Sequence, residues 1–443
     1  MSPTWQDRMQ RAAARVGRMI WIVWILGASV SARAQQPGAS APPTEPEQKV
    51  TCIVCHSNLG GQLAVPTKPF PTDVHAEKGL TCASCHGGDP TSMDPKVAMS
   101  PANGFRGKPT REEVPEFCGR CHSDTAYMHR YSPTVQTDQV RQYYTSRHGE
   151  LLREGNRQVA TCINCHSVHD IKLVSDPTSP VYPTNIPETC GKCHSNPDYM
   201  AGYTDLPGLT QVTDYEKSVH YQALTVQGNL SAPTCVTCHS SHGATPPGVR
   251  SVADVCGTCH AQNLQFFQKS PHAAAFADLG VPGCVQCHGN HAILPGNEAM
   301  LAGSDSVCMT CHAEGDAGAQ RAEEMAGQIR RLDAAIEQAR ATLDNADRAG
   351  MDVSVATAEL TTAHSHLIMS RTAIHSLDAA QVEAEIAQGI PIAEQALQEG
   401  RDKLAEVQSR RKGVALFSLL VLAIVLSLYL YIRLENKSKR QAP

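Results

Sequence analysis

Eighteen cysteines and nine of the twenty histidines in this 443-residue chain fall into one pattern, Cys-x-x-Cys-His. The copies are Cys52, Cys55 and His56; Cys82, Cys85 and His86; Cys118, Cys121 and His122; Cys162, Cys165 and His166; Cys190, Cys193 and His194; Cys235, Cys238 and His239; Cys256, Cys259 and His260; Cys284, Cys287 and His288; and Cys308, Cys311 and His312. Two thiols at this spacing can add to the two vinyl groups of one porphyrin, and the adjoining imidazole then reaches the iron as proximal ligand. Zinc needs no histidine after the second cysteine, where this chain has one nine times in nine. A disulfide framework fits an even cysteine count in an exported chain but leaves those histidines unexplained. Cysteine arithmetic therefore predicts nine covalent haems c, with no thiol left over.

Further histidines recur at fixed offsets from the motifs. The repeated unit is Ser-x-His, then Cys-x-x-Cys-His-x-x-His, then a plain Cys-x-x-Cys-His, and it runs three times between residues 146 and 312. It supplies His148 with His169, His220 with His242, and His272 with His291 as candidate sixth ligands to iron. A degenerate earlier copy begins at Asp-Val-His75, has Asp89 where the second histidine would stand, and offers His129 downstream as a substitute. That makes eight spare imidazoles for nine irons. The ninth is expected from a later helical segment that carries His364, His366 and His375. His375 is the preferred donor, because it sits near a helix end; the alternative is that these three are solvated or capping residues.

This run of motifs resembles the multihaem c-type cytochromes, in particular the periplasmic decahaem electron-transfer cytochromes, over about 60 per cent of the chain. The resemblance implies bis-histidine, low-spin haems stacked so as to pass electrons. The chain departs from that group in having nine motifs and a membrane-anchored helical extension. The expected role is a relay on the periplasmic face of the bacterial inner membrane in anaerobic respiration. It would take electrons from a quinol-oxidising membrane partner and hand them to other periplasmic or outer-membrane cytochromes. The alternative is a multihaem oxidoreductase acting on a small nitrogen or sulfur oxyanion at one open haem, which requires an iron lacking a second protein ligand.

The elements that must position these groups can be read along the chain. Arg8, Arg11, Arg15 and Arg18 precede an apolar stretch from Met19 to Val30 and the sequence Ala32-Arg33-Ala34, so residues 1–34 read as a secretory signal peptide. Export agrees with covalent haem attachment, which in bacteria takes place outside the cytoplasm. Residues 35–49 form a Pro- and Ala-rich leader. Residues 50–315 form the nonahaem domain, expected as short helices and loops around a core filled by porphyrins, with little or no sheet. Residues 316–412 read as a helical bundle: Asp316 is a candidate N-cap, Met325, Ile329, Leu332, Ile336 and Leu343 keep helical spacing, a second helix starts at Asp352, and a third starts near Pro391. Residues 413–433 contain 19 consecutive uncharged residues, Val414 to Ile432, long enough to span a bilayer, and residues 434–443 make a basic cytoplasmic tail. The fold class is thus mainly α and irregular. The formal net charge of −5, from 38 basic and 43 acidic residues, gives no basis for nucleic-acid binding. Fully matured protein should carry nine haems by intact mass and pyridine haemochrome assay; seven or fewer would overturn the motif count.

Overall fold

A computed structural model describes residues 51–203, 208–246, 248–303 and 306–439. The expected signal peptide and leader, and the last four residues of the tail, lie outside the described residues. All regular structure among the described residues is helical, with no strand. The chain divides into two compact units, one holding the described residues through Asp138 together with Val168–Ile171, the other holding Gln139–Ser167 and everything from Lys172 onward.

In the first unit, α1 (Thr51–Leu59), α3 (Cys82–His86) and α4 (Val114–His122) carry motifs one to three, and the single turn α2 (Val74–Glu77) carries His75. The second unit repeats one pattern. A short helix with a donor histidine precedes a one-turn motif helix: α5 (Arg147–Arg153) before α6 (Cys162–His166), α8 (Val219–Thr225) before α9 (Cys235–His239), and α11 (Pro271–Leu279) before α12 (Gly283–His288). Motif five lies on α7 (Ile186–His194), while motifs seven and nine start in 3₁₀ turns, Val252–Thr258 and Val307–Thr310. The helix α10 (Ala261–Lys269) follows motif seven.

Local sequence explains these short elements. A helix of five residues is far below the length that propensity alone can sustain, so its ends must be satisfied by side chains. Thr81, Thr161 and Thr234, each just before a motif, close capping boxes with Ser84, Asn164 and Thr237 inside the motif. The serine of Ser-x-His is also an N-cap: Ser146 and Ser218 accept from the backbone N–H of Gly149 and Tyr221, and Asp73 takes the same position ahead of His75. The repeat is visible in its bonds too, since Tyr143 and Tyr215 donate from their hydroxyls to the carbonyls of Ala160 and Pro233, the residues just before the two capping threonines.

The last part of the second unit is an antiparallel three-helix bundle of α13 (Ala317–Arg348), α14 (Ser354–Ala373) and α15 (Ala379–Lys439). Asp316 caps α13 by accepting from Ala319 N–H, and Asp352 accepts from both N–H and hydroxyl of Ser354 at the start of α14. Met325, Ile329, Leu332, Ile336 and Leu343 face Leu360 and Leu367 of α14 and Val382 and Ile386 of α15 in one closed core. The third helix differs from expectation, beginning twelve residues before Pro391 and running through it. An internal proline costs about 3 kcal/mol. Burial of Val382 and Ile386 ahead of it offsets that at roughly 1.5–3 kcal/mol each. The same helix continues without a break through the apolar run to Lys439, and the side chains from Val414 to Leu434 are exposed. It is long and apolar enough to cross a membrane.

The two parts of the chain are stabilised differently. Twenty-one buried apolar residues lie at or beyond Ala322, against ten in the described residues before it, so the large side-chain core is that of the bundle, and the cluster of Tyr143, Leu152 and Val159 among the motifs is small. Ile336→Ala should therefore lower the stability of the bundle by about 2–5 kcal/mol in chemical denaturation followed by circular dichroism, while the visible spectrum stays unchanged until the bundle melts.

Candidate haem sites

Three motif histidines, His56, His86 and His312, are held by the Nδ1 atom, which leaves Nε2 free to face a metal. His86 Nδ1 lies 2.8 Å from the carbonyl of Gly107, and His56 Nδ1 lies 3.3 Å from that of Leu63. His312 Nδ1 lies 3.1 Å from a carboxylate oxygen of Asp316, whose other oxygen caps α13. One carboxylate thus orients a motif imidazole and starts the bundle. A Cβ at Gly318 would stand 2.3 Å from the His312 ring, so only glycine fits where the first turn of α13 crosses it. Partners of this kind fix the tautomer and raise ligand basicity.

Eight of the nine motif imidazoles face a second imidazole. The pairs are His122 with His75, His86 with His169, His194 with His148, His166 with His242, His260 with His220, His239 with His291, His312 with His272 and His288 with His375. Their ring centroids are 6.0–6.4 Å apart. Two iron–nitrogen bonds of about 2 Å and two ring radii of about 1.1 Å would separate centroids by roughly 6.2 Å across a single metal. The residues therefore fit an iron held from both sides. Burial pushes the pKa of His148, His169, His194, His220, His239, His272, His288, His291 and His375 below the ordinary value and so favours the neutral, ligating form. Apolar side chains beside the motifs, including Val54, Val168, Leu173 and Leu294, are about half exposed or more, which suits contact with porphyrin faces.

The pairing follows a rule. A histidine in the Ser-x-His position ahead of an even-numbered motif faces the next, odd-numbered motif: His75 faces motif three, His148 five, His220 seven and His272 nine. The last histidine of Cys-x-x-Cys-His-x-x-His faces the motif two places back, so His169, His242 and His291 serve motifs two, four and six. Sequence analysis found these donors but not their partners, although the two-motif period was the signal from which such an offset could have been drawn.

Each donor class has its own device. The residue after an even motif's histidine takes positive φ with extended ψ: Gly87 at 71°, −162°, Ser167 at 71°, −172°, Ser240 at 67°, 156° and Gly289 at 70°, −167°. This region is almost confined to glycine, so Ser167 and Ser240 hold strain at the bend that turns the following histidine away from its own motif. At Gly87 a Cβ would lie 1.9 Å from the carbonyl oxygen of Gly104. The other class starts a helix, and its most constrained member is His75. Asp73, 1% exposed, accepts from His75 N–H, lies 2.8 Å from His75 Nδ1 and accepts from Ile171 N–H two residues beyond His169. One buried carboxylate therefore positions donors to motifs two and three, a role the sequence reading did not assign.

His375 lies on a 3₁₀ turn, Ile374–Ser376, at the end of α14, with Nδ1 3.0 Å from the carbonyl of Thr372 and Asn263 of α10 beside its ring. It occupies the place that the repeat rule would give to a tenth motif's last histidine. Arg371 anchors this end of the bundle through Glu298 at 2.8 Å and Asp333 at 3.5 Å. His366 instead lies 2.9 Å from Glu385 within the bundle, and His364 has no motif imidazole against it. His129 is exposed at the end of the one-turn helix Thr125–Met128, and among the described residues its ring meets no motif imidazole.

The cysteines give the order of the sites within each unit. In the first, Cys52 lies beside Cys82, and Cys85 lies in electrostatic range of Cys121. In the second, Cys165 lies near Cys193, Cys190 near Cys235, Cys238 near Cys256, Cys256 near Cys284, and Cys287 near Cys308. Spatial order therefore follows chain order, one to three and four to nine.

Comparison with known proteins agrees with this chemistry. Residues 74–195 match the cytochrome c3 family, 228–265 the doubled CXXCH motif, and 255–330 the cytochrome c554 and c-prime family. The C-type polyheme cytochrome OmcB of Geobacter sulfurreducens, from strains DL-1 / KN400 and PCA, is 25% identical over 233 residues, covering 47% of this chain. The chain spans about a quarter of the length of those relatives, 24%. No solved structure matches. Motifs, paired imidazoles and family matches together make the chain a multihaem c-type cytochrome, a class that binds haem c. His375→Ala should convert one haem from low to high spin, read by electron paramagnetic resonance, and leave the haem count unchanged.

Proposed function

We propose that all nine motifs carry haem c, that the eight imidazole pairs are axial ligand sets, and that the protein is a membrane-anchored electron relay. The observation that carries this reading is the pairing itself: eight motif histidines each have a second histidine at the spacing one iron requires. Iron held by two protein imidazoles can change oxidation state without exchanging a ligand, which suits transfer over substrate chemistry. The residues support that use. Donors fixed by caps, carbonyls and carboxylates move little between oxidation states, and adjacent cysteines bring successive sites together.

The course of α15 supports a location at the membrane. Leu404 and Val407 still pack on the bundle, and the uncharged run begins at Val414, so about two helical turns separate bundle from membrane with no flexible linker. The 19 residues from Val414 to Ile432 would cover about 28 Å, close to the hydrocarbon thickness of a bilayer. With export by the N-terminal signal, the haem region lies on the periplasmic face and the basic tail in the cytoplasm. A quinol-oxidising membrane complex is the donor in this reading, and other periplasmic or outer-membrane cytochromes are the acceptors. The spanning helix contains no His, Asp, Glu, Lys or Arg, so it contributes place and no redox chemistry.

Truncation after Gln408 should release a haem-loaded protein into the soluble periplasmic fraction with an unchanged visible spectrum. Quinol-dependent reduction of its haems in membranes should fall at least tenfold. Retention on membranes in high salt, or undiminished reduction, would exclude α15 as the functional anchor.

A further inference from the structure

The pairing rule has two ends, and only one is closed. At the C-terminal end, motif eight needs a donor that a further repeat would supply, and His375 of the bundle stands in for it. At the N-terminal end, motif one is odd-numbered, so its donor should precede a motif upstream of it. Residues 1–51 contain no cysteine and no histidine. All twenty histidines lie among the described residues, and sixteen are used in the eight pairs. Besides His56, the remainder are His129, His364 and His366, and no imidazole is set against His56. Yet His56 is held as His86 is, with Nδ1 on a carbonyl, here that of Leu63.

We propose that motif one is a ligand-binding site: its iron is held by His56 on one side and takes a small, uncharged donor from solution on the other. The character of the ligand follows from the surroundings. Residues 52–67 contain no Asp, Glu, Lys or Arg, and Leu59, Leu63 and Val65 are each more than half exposed. Asp89 also acts electrostatically on Cys52, and its carboxylate opposes an anion. An iron in such a setting favours a neutral diatomic molecule or an uncharged nitrogen base over an oxyanion. The step is addition of a donor pair to iron, with no bond broken and no electron exchanged.

This inference rests on the nine-haem reading, and one set of measurements on the full-length protein separates the two. Intact mass gives the haem count; electron paramagnetic resonance of the oxidised protein gives the spin states. Nine haems with a single high-spin iron are expected. Imidazole titration should convert that signal to low spin, and after reduction with dithionite about one carbon monoxide should bind per chain. Replacing Cys52 and Cys55 with alanine should abolish the high-spin signal and carbon monoxide uptake together, and His129→Ala should change neither. Nine haems, all low-spin, with no carbon monoxide uptake would overturn this inference alone, whereas eight haems with motif one unloaded would overturn the nine-haem reading as well. A high-spin signal that arises only in His129→Ala would make His129 the sixth ligand. A methionine–iron charge-transfer band lost in Met93→Leu or Met99→Leu would assign that position to a thioether. Either of those results would close the site and refute the proposal.

Discussion

The placing of two imidazoles at the separation one iron would require is the constraint on which this structure depends. It asks for a second ring about 6 Å from each motif ring, in a region whose motif helices are mostly one to three turns long. Such helices cannot stand by propensity. They are held by what the chain places at their ends: a serine or aspartate cap ahead of a donor histidine, a threonine cap ahead of a motif, and a left-handed residue after it. This accounts for the unusual composition of the buried polar residues, which include Asp73, Ser146, Thr161, Ser218, Thr234 and Ser270, all caps. In a region with few buried apolar side chains, satisfied backbone takes the place that packed leucines hold elsewhere.

Because donors serve motifs one or two places away, no repeat is complete alone. His169, His242 and His291 each reach back past a motif, while His148, His220 and His272 reach forward past one. The arrangement works like a solenoid, in which each unit buries its neighbour's surface and the ends need special treatment. The bundle is that treatment at one end. Asp316 joins the cap of α13 to His312, Arg371 ties α14 to Glu298, and His375 completes motif eight. The helices after the motifs thus bring a histidine to the last repeat and carry an apolar stretch long enough to cross a membrane.

The bundle shows a different balance of forces. Its core is apolar and closed, so a proline inside α15 is tolerated because the apolar stripe on both sides of it is already buried. Reading Pro391 as a helix start followed a sound local preference for proline in a first turn. Tertiary packing overrode it, and the resulting single helix joins bundle and membrane segment without a hinge.

The amino-acid sequence alone determined what is covalent or strictly periodic: the nine motifs, the spare histidines at repeated offsets, the helical stripes ahead of the apolar run, and that run itself, all of which depend on neighbours within a few residues. His375 was legible only as one of three candidates by counting. Partners were decided by the tertiary structure, because a rule such as His242 with His166 joins residues 76 positions apart and nothing local distinguishes it from pairing with a nearer motif. The orienting roles of Asp73 and Asp316 were hidden for the same reason, since a carboxylate before a helix reads as a cap whether or not a ring also rests on it. Nor could the sequence separate His129 from the histidines that do face a motif. Spacing shows which residues can donate; only the path of the chain through space decides which iron each one can reach.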